Sequence, residues 1–308
     1  MAIASDRALN WAAPRPRLAR ARRELTGLFF VLPCALFVGV FFFVPLALAG
    51  WVSLHDWPLF GESAYAGLAN YARLLRDDAF LDSLWFTTRY ALLVTPPIFL
   101  LGFALALLAN QAFRGVGFFR TLFFLPNVVG FGAACLLWYF LLNDQFGVIN
   151  AALRGLGLLD GALLWFGAYD TAMLAIVVMV VWKTAGGTMI LLLIGMQSIP
   201  DDLYQAAKVD GAGPLARLRS ITLPLLKRTF ALALVLSITG SYLAFEQFYI
   251  LTRGGPRNET ISMVFLITST AFTAFEVGYA TTMSFALLTL LILLSIVQLY
   301  LLRDSTQY

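Results

Sequence analysis

Charge is what this sequence has least of: Asp, Glu, Lys and Arg make up 12% of its 308 residues, where soluble chains carry about 25%. Too few polar groups remain to face water over a whole surface, which excludes a soluble globular domain. There is a single histidine, His55, whose near neighbour Asp56 is one carboxylate without cysteines or further ligands at zinc spacing. That argues against a metal centre or a catalytic triad. The three lysines, Lys183, Lys208 and Lys227, follow Trp182, Ala207 and Leu226, so none is the lysine of a G-x-x-x-x-G-K-[ST] phosphate loop. Any ATP that drives this protein binds another polypeptide. The two cysteines, Cys34 and Cys135, lie in apolar stretches and read as small buried hydrophobes rather than a disulfide. The net charge is +4, but the basic residues form no stripe with interleaved aromatics, so no nucleic-acid partner is implied.

What is present is apolar length. Hydrophobic residues make up 60% of the chain and mean hydropathy is +0.83. Uncharged stretches suit a bilayer core about 30 Å thick, which a helix of roughly 20 residues crosses. Six spans are predicted: 27–51, 84–111, 119–142, 171–196, 223–245 and 277–302. The first is too long for the apolar core of a signal peptide and is expected to be retained. Residues 261–275 form a seventh apolar stretch, short and rich in Ser and Thr, expected to be re-entrant or interfacial rather than spanning. Pro96, Pro97 and Pro126 fall inside spans and predict a packed bundle, since neighbours must satisfy the backbone groups that proline leaves open.

The stretches on the side of both termini, 1–26, 112–120, 197–228 and 303–308 with the basic span ends included, hold 14 of the 21 Lys and Arg residues. By the positive-inside rule that side is cytoplasmic. The predicted layout is a basic cytoplasmic tail over 1–26, a membrane domain over 27–302 with a cytoplasmic loop at 197–222, and a cytoplasmic tail over 303–308. The tail arginines suit anionic membrane lipid. No Asp or Glu lies inside the six spans, whereas ion-coupled carriers keep such groups there. A self-sufficient secondary carrier or channel is therefore the weaker alternative. Lys183 lies in mid-span, and two readings of it stay open: a residue lining a solute path, or a lysine that snorkels or pairs with a backbone carbonyl at a helix interface.

The loop from Gln197 to Pro214 reads as a short capped helix. Ser198 is a candidate cap, Pro200 suits the first turn, and Asp201 and Asp202 suit the positive end of the helix dipole. Gly211 can take the left-handed conformation that stops a helix, and Gly213-Pro214 turns the chain onward. Ala206 and Ala207 leave a small flat face for a partner.

Ala206, Ala207, Asp210, Gly211, Ala212, Leu223 and Pro224 resemble the E-A-A…D-G-A…L-P signature of permease subunits of binding-protein-dependent ABC importers. Gln205 stands where that family usually has Glu, keeping an acceptor but losing the charge. Tyr65–Tyr71, Phe119–Pro126, Asp144–Asn150, Trp182-Lys183, Gln197–Pro200 and Leu251–Pro256 are similar, in order and spacing, to the carbohydrate-uptake branch that serves maltose-like oligosaccharides and glycerol phosphate.

The resemblance implies an all-α membrane protein, a six-helix type I importer bundle with both termini inside. It implies no catalysis and no cofactor on this chain, with ATP and Mg on two cytoplasmic ABC ATPase subunits. A second, homologous permease subunit and an extracytoplasmic solute-binding protein, docking on outer loops such as 65–82, complete the set. The ATPase-coupling residues would be Pro200, Tyr204, Gln205, Ala206, Ala207, Asp210, Gly211 and Ala212. Solute contacts would come from Lys183, Thr184 and Gly187 in one span and Tyr242, Phe245, Glu246, Gln247 and Tyr249 in another. That set supplies aromatic faces for sugar rings and polar groups for hydroxyls.

Overall fold

The computed structural model describes residues 29–111 and 113–301. Both predicted tails and the outermost residues of the first and last spans lie outside the described residues. The chain divides after Val52. The first part is a helix, α1 (Phe29–Ser53), apolar all round and carrying a π-helical turn at Gly39–Phe43. Cys34 is exposed on it, so it is not the buried hydrophobe its surroundings suggested; a side chain on an all-apolar helix suits lipid as well as core.

The second part begins with a two-residue antiparallel hairpin, β1 (His55–Asp56) and β2 (Ala64–Tyr65), in register His55 to Tyr65. His55 is buried there, edge-on to Trp57 and Tyr65. The helices α2 (Ala69–Leu74), α3 (Asp78–Ala109), α4 (Val116–Val128), α5 (Phe131–Leu141), α6 (Val148–Gly155) and α7 (Tyr169–Gln197) follow. After them come α8 (Asp201–Val209), α9 (Pro214–Leu225), α10 (Lys227–Tyr242), α11 (Met263–Phe272) and α12 (Val277–Leu301).

Among the described residues, α1, α3, α7 and α12 are each long and apolar enough to cross a membrane. The predicted spans at 119–142 and 223–245 are not single rods. The first is α4 and α5 bent by 94°, the second α9 and α10 bent by 64°. Val129 is extended and Gly130 starts the next helix, which breaks the first; Pro224, preceded by a π-helical turn at Leu218–Thr222, bends the second. The apolar stretch 261–275 contains only the 10-residue helix α11, too short to cross.

Helices α3 and α7 form the central pair. Tyr90, Val94 and Ile98 of α3 pack on Ile176, Met179 and Val180 of α7 at one end, and Leu105 and Ala109 on Leu192 and Met196 at the other. A third cluster, with Tyr242, Met263, Tyr279 and Met283, joins α10, α11 and α12. Asp77 starts α3, its Oδ1 accepting from the amides of Ala79 and Phe80, while its other oxygen accepts from the Tyr279 hydroxyl. Arg73 lies over the Tyr279 ring and pairs with Glu276 at 2.7 Å. Two motif asparagines are structural hubs. Asn70 donates to the carbonyls of Ser53 and His55, and buried Asn150 donates to those of Asn143 and Leu163 while accepting from Trp165 Nε1.

Gly186 is where α4 and α7 touch backbone to backbone. A Cβ there would collide with the Phe123 carbonyl and sit 2.9 Å from Phe124 Cα. Gly186→Ala is expected to cost about 1–3 kcal/mol of stability and to lower the thermal midpoint in detergent. Gly117→Ala in α4, with nothing near its added methyl, should leave the midpoint unchanged or slightly raised; equal midpoints for the two variants would refute the close approach.

Candidate functional site

A cavity of about 540 Å³ lies between α3, the α4–α5 break, α7, α10 and the segment following α10. Its wall is mostly apolar, with Asn127, Thr184, Thr188, Ser237, Glu246 and Gln247 among the polar groups converging on it, the composition of a site for a small polar solute. Five predicted solute contacts meet here: Thr184, Gly187, Phe245, Glu246 and Gln247. Gly187 leaves room for Asn127, whose side-chain oxygen is 3.0 Å from where a Cβ would stand.

Three others lie outside the cavity lining. Tyr242 is buried, its hydroxyl 2.9 Å from Thr88 Oγ1. Tyr249 is exposed and stacks on Phe245 at 5.1 Å. Lys183 is buried within α7, and its Nζ donates to the Val129 carbonyl at 2.6 Å, with Pro126 and Asn127 carbonyls at 3.4 and 3.5 Å and the Phe131 ring at 5.3 Å. Of the two readings of this lysine, the geometry matches pairing with backbone carbonyls. Its charge sits at the C-terminus of α4, where the helix dipole is negative and carbonyls lack intrahelical partners. Lys183 thereby fixes the break that turns Asn127 and Phe131 into the cavity wall.

The α10 end uses a parallel device. The helix stops at Tyr242, and Phe248–Thr252 resumes as a π-helical turn, a form frequent at functional positions. Ser262 donates to the freed Ala244 carbonyl at 2.6 Å, and Gln247 Nε2 donates to the Tyr90 hydroxyl at 3.1 Å. Tyr90, Asn127 and Ser237 went unassigned in the sequence because Tyr90 and Ser237 are ordinary span residues and Asn127 is brought in by a helix break.

The loop helix α8 ends as its sequence predicts. Gly211 has φ +79°, the Ala212 amide donates to the Ala207 carbonyl and the Gly211 amide to that of Lys208, the two bonds of a Schellman stop. Asp210 is the C-cap residue. The start differs from expectation. Pro200, not Ser198, occupies the N-cap position, and the Ser198 hydroxyl donates back to the Gly195 carbonyl at the end of α7. A residue before proline favours extended backbone, so Ile199-Pro200 separates the two helices and leaves Ser198 on the first. Tyr204 ties α8 to the bundle through Thr222 Oγ1 at 3.0 Å, and the side chains of Gln205, Ala206, Lys208 and Val209 are exposed.

Residues 80–306 match the family described as binding-protein-dependent transport system inner membrane component. The chain is 34% identical to the trehalose/maltose transport system permease protein MalF of Thermococcus litoralis, over 91% of this chain and 94% of that one. It is 32% identical to the sn-glycerol-3-phosphate transport system permease protein UgpA of Shigella flexneri, over 90% and 94%. A solved bacterial ABC transporter involved in import of the acidic polysaccharide alginate shares the fold, with a TM-score of 0.81 at 21% identity over 94% of this chain and all of that one. A permease bundle with a cavity beside broken helices and a protruding loop helix is thus the class defined by fold and site. This chain belongs to the family of inner membrane components of binding-protein-dependent ABC importers.

Lys183→Met removes the only side-chain donor reaching the Val129 carbonyl among the described residues. It is expected to cost about 1–3 kcal/mol and to loosen the α4–α5 break, read as faster proteolysis or hydrogen exchange around Val128–Phe131. Unchanged protection there would show that the lysine holds nothing.

Proposed function

We propose that this chain is a six-span permease subunit that carries a carbohydrate or related solute inward across a bacterial or archaeal cytoplasmic membrane. Each bent pair counts as one span, both termini lie inside, and the spanning domain covers 27–302 between tails at 1–26 and 303–308. The mostly apolar cavity with a few converging polar groups supports a small-solute site, and the trehalose/maltose and glycerol-phosphate names of the relatives support a sugar or sugar-derived cargo. Phe245 offers a ring face, while Thr184, Glu246 and Gln247 offer acceptors and donors for hydroxyls; Asn127 adds an amide.

The observation that carries the mechanism is α8. A nine-residue helix, stopped by a full Schellman motif and hinged to the bundle through Tyr204, presents an exposed face including Gln205, Ala206, Lys208 and Val209. Such a helix acts as a lever for a separate engine. Two cytoplasmic ATPase subunits, holding ATP and Mg, close around α8 and its counterpart on a second, homologous permease. Their closure moves α7 and α9, to which α8 is joined at its two ends, and switches access to the cavity. An extracytoplasmic solute-binding protein delivers cargo on outer segments including 65–82. Gln205 in place of the usual Glu makes the contact a neutral hydrogen bond rather than an ion pair.

In proteoliposomes the complete assembly is expected to take up solute only with ATP, ATPase subunits and binding protein all present. Gly211→Val, which forces a β-branched residue to φ +79° at a cost of about 1–3 kcal/mol, should uncouple ATP hydrolysis from uptake. Normal coupling in that variant, or uptake by this chain alone under an ion gradient, would overturn the proposal.

A further inference from the structure

A second cleft, of about 650 Å³, opens between the first turns of α3, the start of α7 and the loop before α11. Unlike the central cavity it is rich in charge of both signs. Asp82, Asp170 and Glu259 line it together with Arg89 and Arg257, and Asn258 adds an amide. Arg257 and Asn258 both have positive φ, 51° and 64°, a conformation non-glycine residues rarely adopt and one that clusters at binding sites. Trp85 lines the cleft with 56% of its surface exposed, and the Arg89 guanidinium lies over its ring at 4.6 Å.

The cleft and the cavity lie end to end along α3. Phe86 lines the first, Tyr90 one turn on lines the second, and both rings rest edge-on against fully buried Phe248 at 5.0 Å. These three rings join the lining of one to the lining of the other.

From this arrangement we infer that the cleft is a second saccharide subsite, a waypoint for cargo before it reaches the central cavity. The inference rests on the carbohydrate reading above. A half-exposed indole suits the C–H surface of a sugar ring, and planar carboxylate, amide and guanidinium groups around it suit neighbouring hydroxyls. The alternatives fit less well. Three carboxylates against two guanidiniums disfavour a phosphate, and among the described residues no three His, Cys, Asp or Glu side chains converge to hold a metal ion.

The test uses the complete importer in proteoliposomes, its binding protein first screened with trehalose, maltose and sn-glycerol 3-phosphate. With a saccharide-loaded binding protein, Trp85→Ala should lower solute taken up per ATP hydrolysed about tenfold, the loss of one stacking contact. The binding-protein concentration giving half-maximal ATPase stimulation should stay within about twofold, showing an intact assembly, and Trp85→Phe should keep most uptake. Unchanged uptake per ATP in Trp85→Ala overturns the subsite alone. So does a raised half-maximal binding-protein concentration at unchanged uptake per ATP, which would make the cleft a protein-docking surface. A binding protein that retains only sn-glycerol 3-phosphate removes the saccharide subsite and leaves the sugar-derived cargo, and one that retains none of the three removes both.

Discussion

Where a helix breaks inside an apolar medium, the carbonyls and amides it frees must find partners within the protein, because lipid offers none. In this chain the α4–α5 pair breaks and α10 stops beside one cavity, and each interruption carries its own buried polar group. Lys183 meets the Val129 carbonyl at the α4–α5 break, and Ser262 meets the Ala244 carbonyl after α10. Thr87 accepts from the Met263 amide, which fixes α11 to α3 beside the second break. Left unmet, each such group would cost about 1–3 kcal/mol, a large share of a domain's net stability. With these partners, irregular backbone persists beside the cavity, and its wall includes Asn127 and Phe245 instead of a continuous apolar helix face.

The same architecture separates rigid from adjustable parts. Helices α3 and α7 share two apolar clusters along their length and form the frame. The bent pairs α4–α5 and α9–α10 meet that frame, and α8 is linked to one end of each of α7 and α9. Force applied to α8 therefore reaches a frame helix and a bent helix at once. The Schellman stop of α8 and the Tyr204–Thr222 hydrogen bond make it a stiff handle, which is what the proposed drive by a separate ATPase requires.

Much of this was legible in the sequence because its signals are local. Apolar length placed α1, α3, α7 and α12; the Asp210-Gly211 stop placed the end of α8; the motif residues pointed to the family. The breaks were not legible as breaks, since Val129-Gly130 lies inside an uncharged run that hydropathy reads as one span. Ser198 looked like a cap for α8, but the proline two residues on isolates it on α7. Lys183 is the sharpest case. Its burial cost was evident from position alone, yet whether carbonyls or solute answered it depended on a bend 54 residues away in the chain. Tyr249 and Tyr242 show the reverse limit, since sequence adjacency to Glu246 does not give them a place in the cavity lining.

The central claim is that α8 faces the cytoplasm and receives an ATPase. A single cysteine at Gln205, with Cys34 changed to serine and Cys135 buried, tests it directly with a membrane-impermeant maleimide. The account predicts labelling in inside-out vesicles that lack the ATPase subunits and strong protection once those subunits are added. Labelling from the outer face, or labelling indifferent to the ATPases, would contradict it.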